Sequence, residues 1–182
     1  MFIQTEPTPN PATLKFLPGR AVMNSGTANF TESAAAKSSP LAESLFGLEG
    51  VTGVYLGGDF ITVSKAEDQD WLTLKPVVLA AIMDHFTSGR PVMNGAVPSA
   101  ETGEEEDDEV VSQIKELLET RVRPAVAQDG GDIIFHSFED GVVYLTMQGS
   151  CSGCPSSTAT LKAGIENMLR HYIPEVQEVR PV

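Results

Sequence analysis

This sequence predicts two small α+β domains on an acidic tether, and three observations predict it. Two apolar regions, residues 1–93 and 109–182, flank a polar stretch at 94–108. Each region carries a hairpin signal, apolar and β-branched runs around a glycine-containing turn, followed by a segment of helical period. The net charge of −13 is concentrated in the middle of the chain: Glu101–Glu109 (ETGEEEDDE) holds seven acids and no base. Such a block cannot bury surface and repels itself into an extended tether. The length of 182 residues suits one or two domains.

The first region reads as ββαββα. Phe2–Thr5 (FIQT) and Thr13–Leu17 (TLKFL) are short strands. Between them lie Pro7, Pro9 and Pro11, which remove donors and fix φ, so a turn-rich connection is expected. Pro18-Gly19 ends the second strand, and Pro40 starts a short helix over Leu41–Phe46. Val51–Leu56 and Phe60–Ser64 form a hairpin around Gly57-Gly58-Asp59. Asp70 caps a helix running to about Thr87, with Leu72, Val78, Leu79, Ile82 and Phe86 on its buried face. Trp71 at its start is assigned to the core.

Residues 94–108 are the linker, and its last acids favour the next helix start through the helix dipole. The second region reads as αββα(β). Val110, Val111, Ile114, Leu117, Leu118, Val122 and Val126 recur at three and four, giving one amphipathic helix. Asp129-Gly130-Gly131-Asp132 ends it. This segment falls short of the ligand count of a calcium loop and is assigned a structural role, with glycine at positive φ and aspartates satisfying turn amides. Ile133–Phe138 and Val142–Met147 are strands around Glu139-Asp140-Gly141, a type I′-like turn. A second helix carries Leu161, Ile165, Met168, Leu169 and Tyr172 on one face and stops at Pro174, and Val176–Val179 adds an edge strand.

Composition excludes several functions. An acidic chain repels phosphate backbones, so nucleic acid is not an expected partner. The longest apolar run, Val77–Met83, is far short of the ~20 residues that span a bilayer, so no membrane segment is expected. The N-terminal residues lack both the basic and apolar parts of a secretory signal and the Arg-rich look of a transit peptide. Two cysteines in such a length are not a disulfide framework. A reducing compartment follows: the bacterial cytoplasm, or the mitochondrial matrix for a mature form. No nucleophile–base pair, phosphate-binding glycine loop or general-acid cluster is present, so no enzymatic activity is expected.

Chemistry concentrates in Gly149-Ser150-Cys151-Ser152-Gly153-Cys154-Pro155. The only two cysteines fall in one C-x-x-C. Glycines at 149 and 153 let the backbone fold tightly there, and Pro155 begins a helix. Near a helix N-terminus a thiolate, the metal-binding form of cysteine, is stabilised. Four readings compete. A structural pair, or an adventitious disulfide, would leave clustered thiols exposed to oxidation. A dithiol–disulfide redox protein shares the spacing but is expected beside a βαβ pattern, and here a hairpin precedes the cysteines. Zinc wants about four ligands, and His85, His136 and His171 are scattered, each better read as a surface or core residue. An iron–sulfur cluster wants four thiolates. One chain supplies two, and a twofold homodimer supplies two plus two. A cluster shared across an interface is easier to release than one wrapped by a single chain, which suits a donor. The count does not separate [2Fe–2S] from [4Fe–4S].

Several separated motifs then agree in order: Arg123-Pro124, Asp129-Gly130-Gly131-Asp132-Ile133, the cysteine segment through Ser156, and Thr160-Leu161-Lys162-Ala163-Gly164-Ile165-Glu166. Over about residues 109–175 the chain resembles the Nfu domain, the C-terminal module of NifU-like iron–sulfur scaffold proteins. Phe2-Ile3-Gln4-Thr5-Glu6-Pro7-Thr8-Pro9-Asn10-Pro11 and Leu14-Lys15-Phe16-Leu17-Pro18-Gly19 resemble the N-terminal domain of mitochondrial and alphaproteobacterial Nfu proteins. The resemblance implies a late-acting carrier, homodimeric when loaded, with Cys151 and Cys154 as the ligands of the cluster iron. It implies receipt of a cluster from upstream scaffold machinery and delivery of [4Fe–4S] to client apoproteins such as lipoyl synthase or aconitase. The cysteine-free first domain is then expected to dock partners.

Overall fold

The computed structural model describes residues 2–95, 108–151 and 155–182, with the backbone alone for 155–158. The chain divides into two compact units, Met1–Ser99 and Ala100–Val182. Both mix strands with helices, the α+β class expected from sequence. The linker stretch falls almost wholly outside the described residues; Asp108 at its end caps the next helix through its side chain, which accepts the Glu109 N–H.

In the first unit, strands β1 (Gln4–Pro7), β2 (Thr13–Leu17), β3 (Ala28–Phe30), β4 (Val51–Leu56) and β5 (Ile61–Lys65) form one antiparallel sheet in the order β1-β2-β5-β4-β3. Helices α1 (Pro40–Phe46) and α2 (Trp71–Ser88) complete it. Phe16, Leu56, Ile61 and Val63 from the sheet share one core with Leu41 and Leu45 of α1 and Val78 and Ile82 of α2. Ser39 caps α1: its Oγ accepts the Ala42 N–H and donates to the Val92 carbonyl, tying the chain beyond α2 to the helix start. A cap of this kind contributes ~1 kcal/mol.

Three details differ from expectation. The first strand begins at Gln4 rather than Phe2, whose side chain is 78% exposed. Pro7 closes this strand, which an edge position tolerates because β1 pairs only with β2. Strand β3 was not foreseen, for it is three residues long and only Phe30 of them is buried. Leu72 does not face the core; it is 85% exposed. The rotation of α2 is set by Leu74, Val78, Ile82 and His85, and Leu72 lies two residues, about 200° of helix, from Leu74. Trp71 is half-buried, stacked at a tilt on Phe16, and its indole donates to the Pro11 carbonyl at 3.2 Å.

His85 is fully buried on α2, and among the described residues neither ring nitrogen reaches a partner at full hydrogen-bond geometry. Burial first, then the Arg90 charge, pushes its imidazole below the ordinary range, against smaller upward pulls from Asp84 and the Arg90 backbone. The unfolded chain, with an imidazole near 6.5, therefore takes up the proton first as pH falls. This contribution is complete above about pH 6.5 and is lost below it. The urea midpoint of the first unit, read by its lone tryptophan, is expected to fall between about pH 7 and pH 5, and His85→Leu to remove that fall. An unchanged pH profile in the variant would refute the assignment.

In the second unit, α3 (Glu109–Leu117) passes through a π-helical turn at Leu118–Val122 into α4 (Arg123–Gln128). Strands β6 (Gly131–Glu139), β7 (Val142–Gly149) and β8 (Glu178–Pro181) form a sheet in the order β6-β7-β8, with helix α5 (Pro155–Tyr172) between the last two. The single helix expected over 110–126 is thus interrupted. Ile114, Leu118, Val122 and Val126 are all buried at intervals of four. In a regular α-helix each such step drifts by about 40°, and the wider turn holds the stripe on one side. Pro124, the second residue of α4, lacks an N–H for a regular ladder, a physical reason for the wide turn just before it.

The β6–β7 hairpin turns at Asp140 and Gly141, with φ of 51° and 80°, the two positive values a type I′ turn requires. The final strand forms at Glu178–Pro181 rather than 176–179, and it runs parallel to β7. Val176 is buried in the turn after Ile173 instead, its N–H donating to the Ile173 carbonyl at 3.1 Å. On α5, Ile165 and Leu169 are buried as expected, while Tyr172 is 48% exposed. Ile173, four residues after Leu169, completes the stripe, and Tyr172 instead faces the Arg121 guanidinium at 5.2 Å.

Candidate functional site

The site is built where β7 ends. Its register pairs Gly149 with Gly131 and Gln148 with Asp132, so the turn at Ser150-Cys151 lies beside the start of β6. Two glycines permit this approach. Gly149 has φ of 64°, and a Cβ there would stand 2.5 Å from the Gly130 carbonyl oxygen. A Cβ on Gly131 would stand 2.4 Å from Cys151 Sγ. No side chain larger than hydrogen fits either position without displacing the turn. Cys151 is 6% exposed and belongs to the core of this unit. It lies four residues before Pro155, the first residue of α5.

Residue 154 lies outside the described residues, so the structure places one of the two expected ligands. Of the histidines weighed as zinc ligands, His85 is in the first unit's core, and His136 and His171 are exposed. His171 stands against the Tyr172 ring. Among the described residues no group of three or more His, Cys, Asp or Glu is placed to hold a metal ion.

The Asp129–Asp132 segment does more than cap a turn. Gly130 takes φ of 77° after α4. Asp132, 3% exposed, accepts both arms of a fork from Arg123: Nε to Oδ1 at 2.9 Å and a terminal nitrogen to Oδ2 at 3.0 Å. Its Oδ1 also accepts the Ile133 N–H at 2.8 Å. The remaining terminal nitrogen of Arg123 meets Glu119 at 2.6 Å, one turn back. The pair joins α4 to β6 at the residue beside Gly131. Sequence reasoning quoted Arg123 and Asp132 but did not pair them; the signal was an arginine next to a helix-breaking proline, nine residues before a buried-strand acid.

The second unit, a three-stranded sheet with two helices joined by a wide turn before it and a long helix between its last two strands, matches a family described as NifU-like domain. The family model of that description matches residues 114–180, and a second, described as scaffold protein Nfu/NifU N terminal, matches residues 3–89. The human protein named NFU1 iron–sulfur cluster scaffold homolog, mitochondrial, is 58% identical over 183 residues, covering 100% of this chain and 72% of that protein. A protein of the same name in Drosophila sechellia is 59% identical over 184 residues, covering 100% of this chain and 65% of its own length. The solution structure of a NifU-like protein from Saccharomyces cerevisiae superposes with a TM-score of 0.48 at 25% identity, covering 53% of this chain and 87% of that one. This chain belongs to the Nfu family of scaffold proteins.

Proposed function

We propose that this chain is an iron–sulfur cluster scaffold that carries its cargo rather than catalysing turnover. One [4Fe–4S] cluster is held between two copies by Cys151 and Cys154 of each and passed to apoproteins. The observation that carries the reading is the placement of Cys151 at the glycine-floored turn before α5, in a chain with one other cysteine. Two thiolates per chain leave a four-thiolate cluster two short, and a second copy supplies them. Release then needs no covalent chemistry in the protein: client thiolates displace Cys151 and Cys154 at the irons, and separation of the two copies completes the exchange.

The supply comes from upstream scaffold machinery, and clients include enzymes of the lipoyl synthase or aconitase kind. The curated relatives are named mitochondrial, which favours the matrix as the working compartment over the bacterial cytoplasm. No helix among the described residues is long and apolar enough to cross a membrane.

Anaerobic reconstitution with iron and sulfide, with iron, sulfide and mass measured on one sample, tests the reading. About two irons and two sulfides per chain in a dimer are expected; about one of each would mean a shared [2Fe–2S] cluster. A colourless, metal-free product that cycles a Cys151–Cys154 disulfide would replace the scaffold by a thiol redox protein. The first unit has no cysteine, and we assign it to partner docking. Deleting residues 1–95 is expected to slow transfer to clients while leaving cluster assembly intact, and equal loss of both would refute the assignment.

A further inference from the structure

Ser150 stands between the last residue of β7 and Cys151 and is 2% exposed. Its Oγ donates to the Asp129 carbonyl, and its N–H donates to the Gly130 carbonyl at 3.2 Å. Both acceptors belong to the turn whose next residue, Gly131, lies under Cys151 Sγ. One residue therefore staples the cysteine turn onto the glycine floor at two points.

The two sides of this staple differ in strength. On the floor side, Asp132 is fixed by the charged fork from Arg123, and charge-assisted forks are among the stronger hydrogen bonds. On the turn side the side-chain tie is a neutral hydroxyl on one rotatable bond, worth far less. With Ser150 so tied, Cys151 is 6% exposed and offers iron almost no surface.

We propose that Ser150 is a positioning residue for cluster loading: in the cluster-free chain it holds the Cys151 thiol sheltered over Gly131, and release of the Asp129 carbonyl brings the sulfur out to its ligand position. The proposal rests on Cys151 being a cluster ligand. It gives the family's donor site a resting state in which one of its two thiols is withheld from oxidants and stray metals until the turn opens.

The test is site-resolved alkylation of the reduced, metal-free full chain by iodoacetamide, with the Cys151 peptide quantified by mass spectrometry at fixed pH. In the unaltered chain Cys151 is expected to react at least about fivefold more slowly than in the same chain unfolded in urea. Ser150→Ala is expected to raise the native rate about fivefold, the order of one neutral hydrogen bond, while amide exchange at Leu145 in β7 stays as it was. Equal rates in native and unfolded chain overturn the proposal. So does an Ala variant in which Cys151 alkylation is unchanged, or rises only in step with Leu145 exchange, which would mark Ser150 as a part of general stability. Because the readout uses metal-free protein, it stands apart from cluster stoichiometry: loss of the shelter leaves the ligand assignment untouched, and failure to hold iron leaves the alkylation result intact.

Discussion

A chain with Cys151→Ser is expected to reconstitute with no stable cluster and to transfer none to an apoprotein client, and Cys154→Ser is expected to behave the same way. Serine is close to isosteric with cysteine but presents a hydroxyl with a pKa far above neutrality, so the anionic sulfur ligand is lost while the turn keeps its shape. In a shared site each substitution removes one ligand from both copies, taking four thiolates to two, and the effect is expected to approach complete loss rather than a graded one. The measurement is visible absorbance and iron content after reconstitution, followed by activation of a client. Folding is checked by the urea midpoint of the second unit, which Cys151→Ser is expected to lower, since Cys151 is buried in that unit's core and a buried hydroxyl carries a desolvation cost, while a folded baseline is retained. A Cys151→Ser protein that still donated a cluster at the normal rate would end the ligand assignment. A redox protein would lose activity with either serine as well, and the two readings separate on iron: the redox protein never held any.

How far the sequence foretold this structure follows from which forces acted locally. The Val51–Leu56 strand and the Thr13–Leu17 strand emerge at their expected bounds, because β-branched and apolar runs between proline and glycine leave little freedom. The Asp70 cap is formed, its side chain accepting the Leu72 N–H at 3.0 Å. The Asp140-Gly141 turn follows from two residues tolerant of positive φ. Most of the misses required information from elsewhere in the fold. Leu72 has the apolar character of a core residue, yet the rotation of its helix is set by the sheet it packs on. Strand β3 exists because β4 has a free edge to offer Ala28–Phe30, not because those residues favour strand. The break in the 110–126 helix could be suspected from Pro124 alone, but an unbroken i, i+4 stripe argued for continuity; the π-helical turn satisfies both. At the site, the cysteine pair was legible from spacing. The role of Gly131 as the surface under the sulfur, and of Ser150 as its latch, was not, since both depend on register between β6 and β7.

The second large effect is expected at the Arg123–Asp132 pair. Asp132 has a side chain 4% exposed, and Arg123 reaches it from α4 with a side chain 33% exposed. The guanidinium meets both carboxylate oxygens in a planar fork that lysine cannot reproduce. Arg123→Met keeps the apolar stem of the side chain but leaves the buried carboxylate without its guanidinium. Breaking a buried pair from one side costs several kcal/mol; with the arginine partly solvated, we expect a loss of about 2–3 kcal/mol in the stability of the second unit, read as a shift of its urea midpoint. Asp132→Asn added to Arg123→Met removes the stranded charge while retaining an acceptor for the Ile133 N–H, and is expected to recover part of that loss. The recovery is the informative quantity, since a double-mutant cycle isolates the coupling from the separate cost of each truncation. Strictly additive losses would mean that the fork contributes nothing beyond packing. A favourable coupling of about 1 kcal/mol or more would show the charge pair itself anchoring β6 to α4. The consequence then reaches the site, because Asp132 adjoins Gly131: when the anchor loosens, the floor beneath Cys151 moves with it, and cluster retention after reconstitution is expected to fall in the Arg123→Met chain and to return in part with Asp132→Asn.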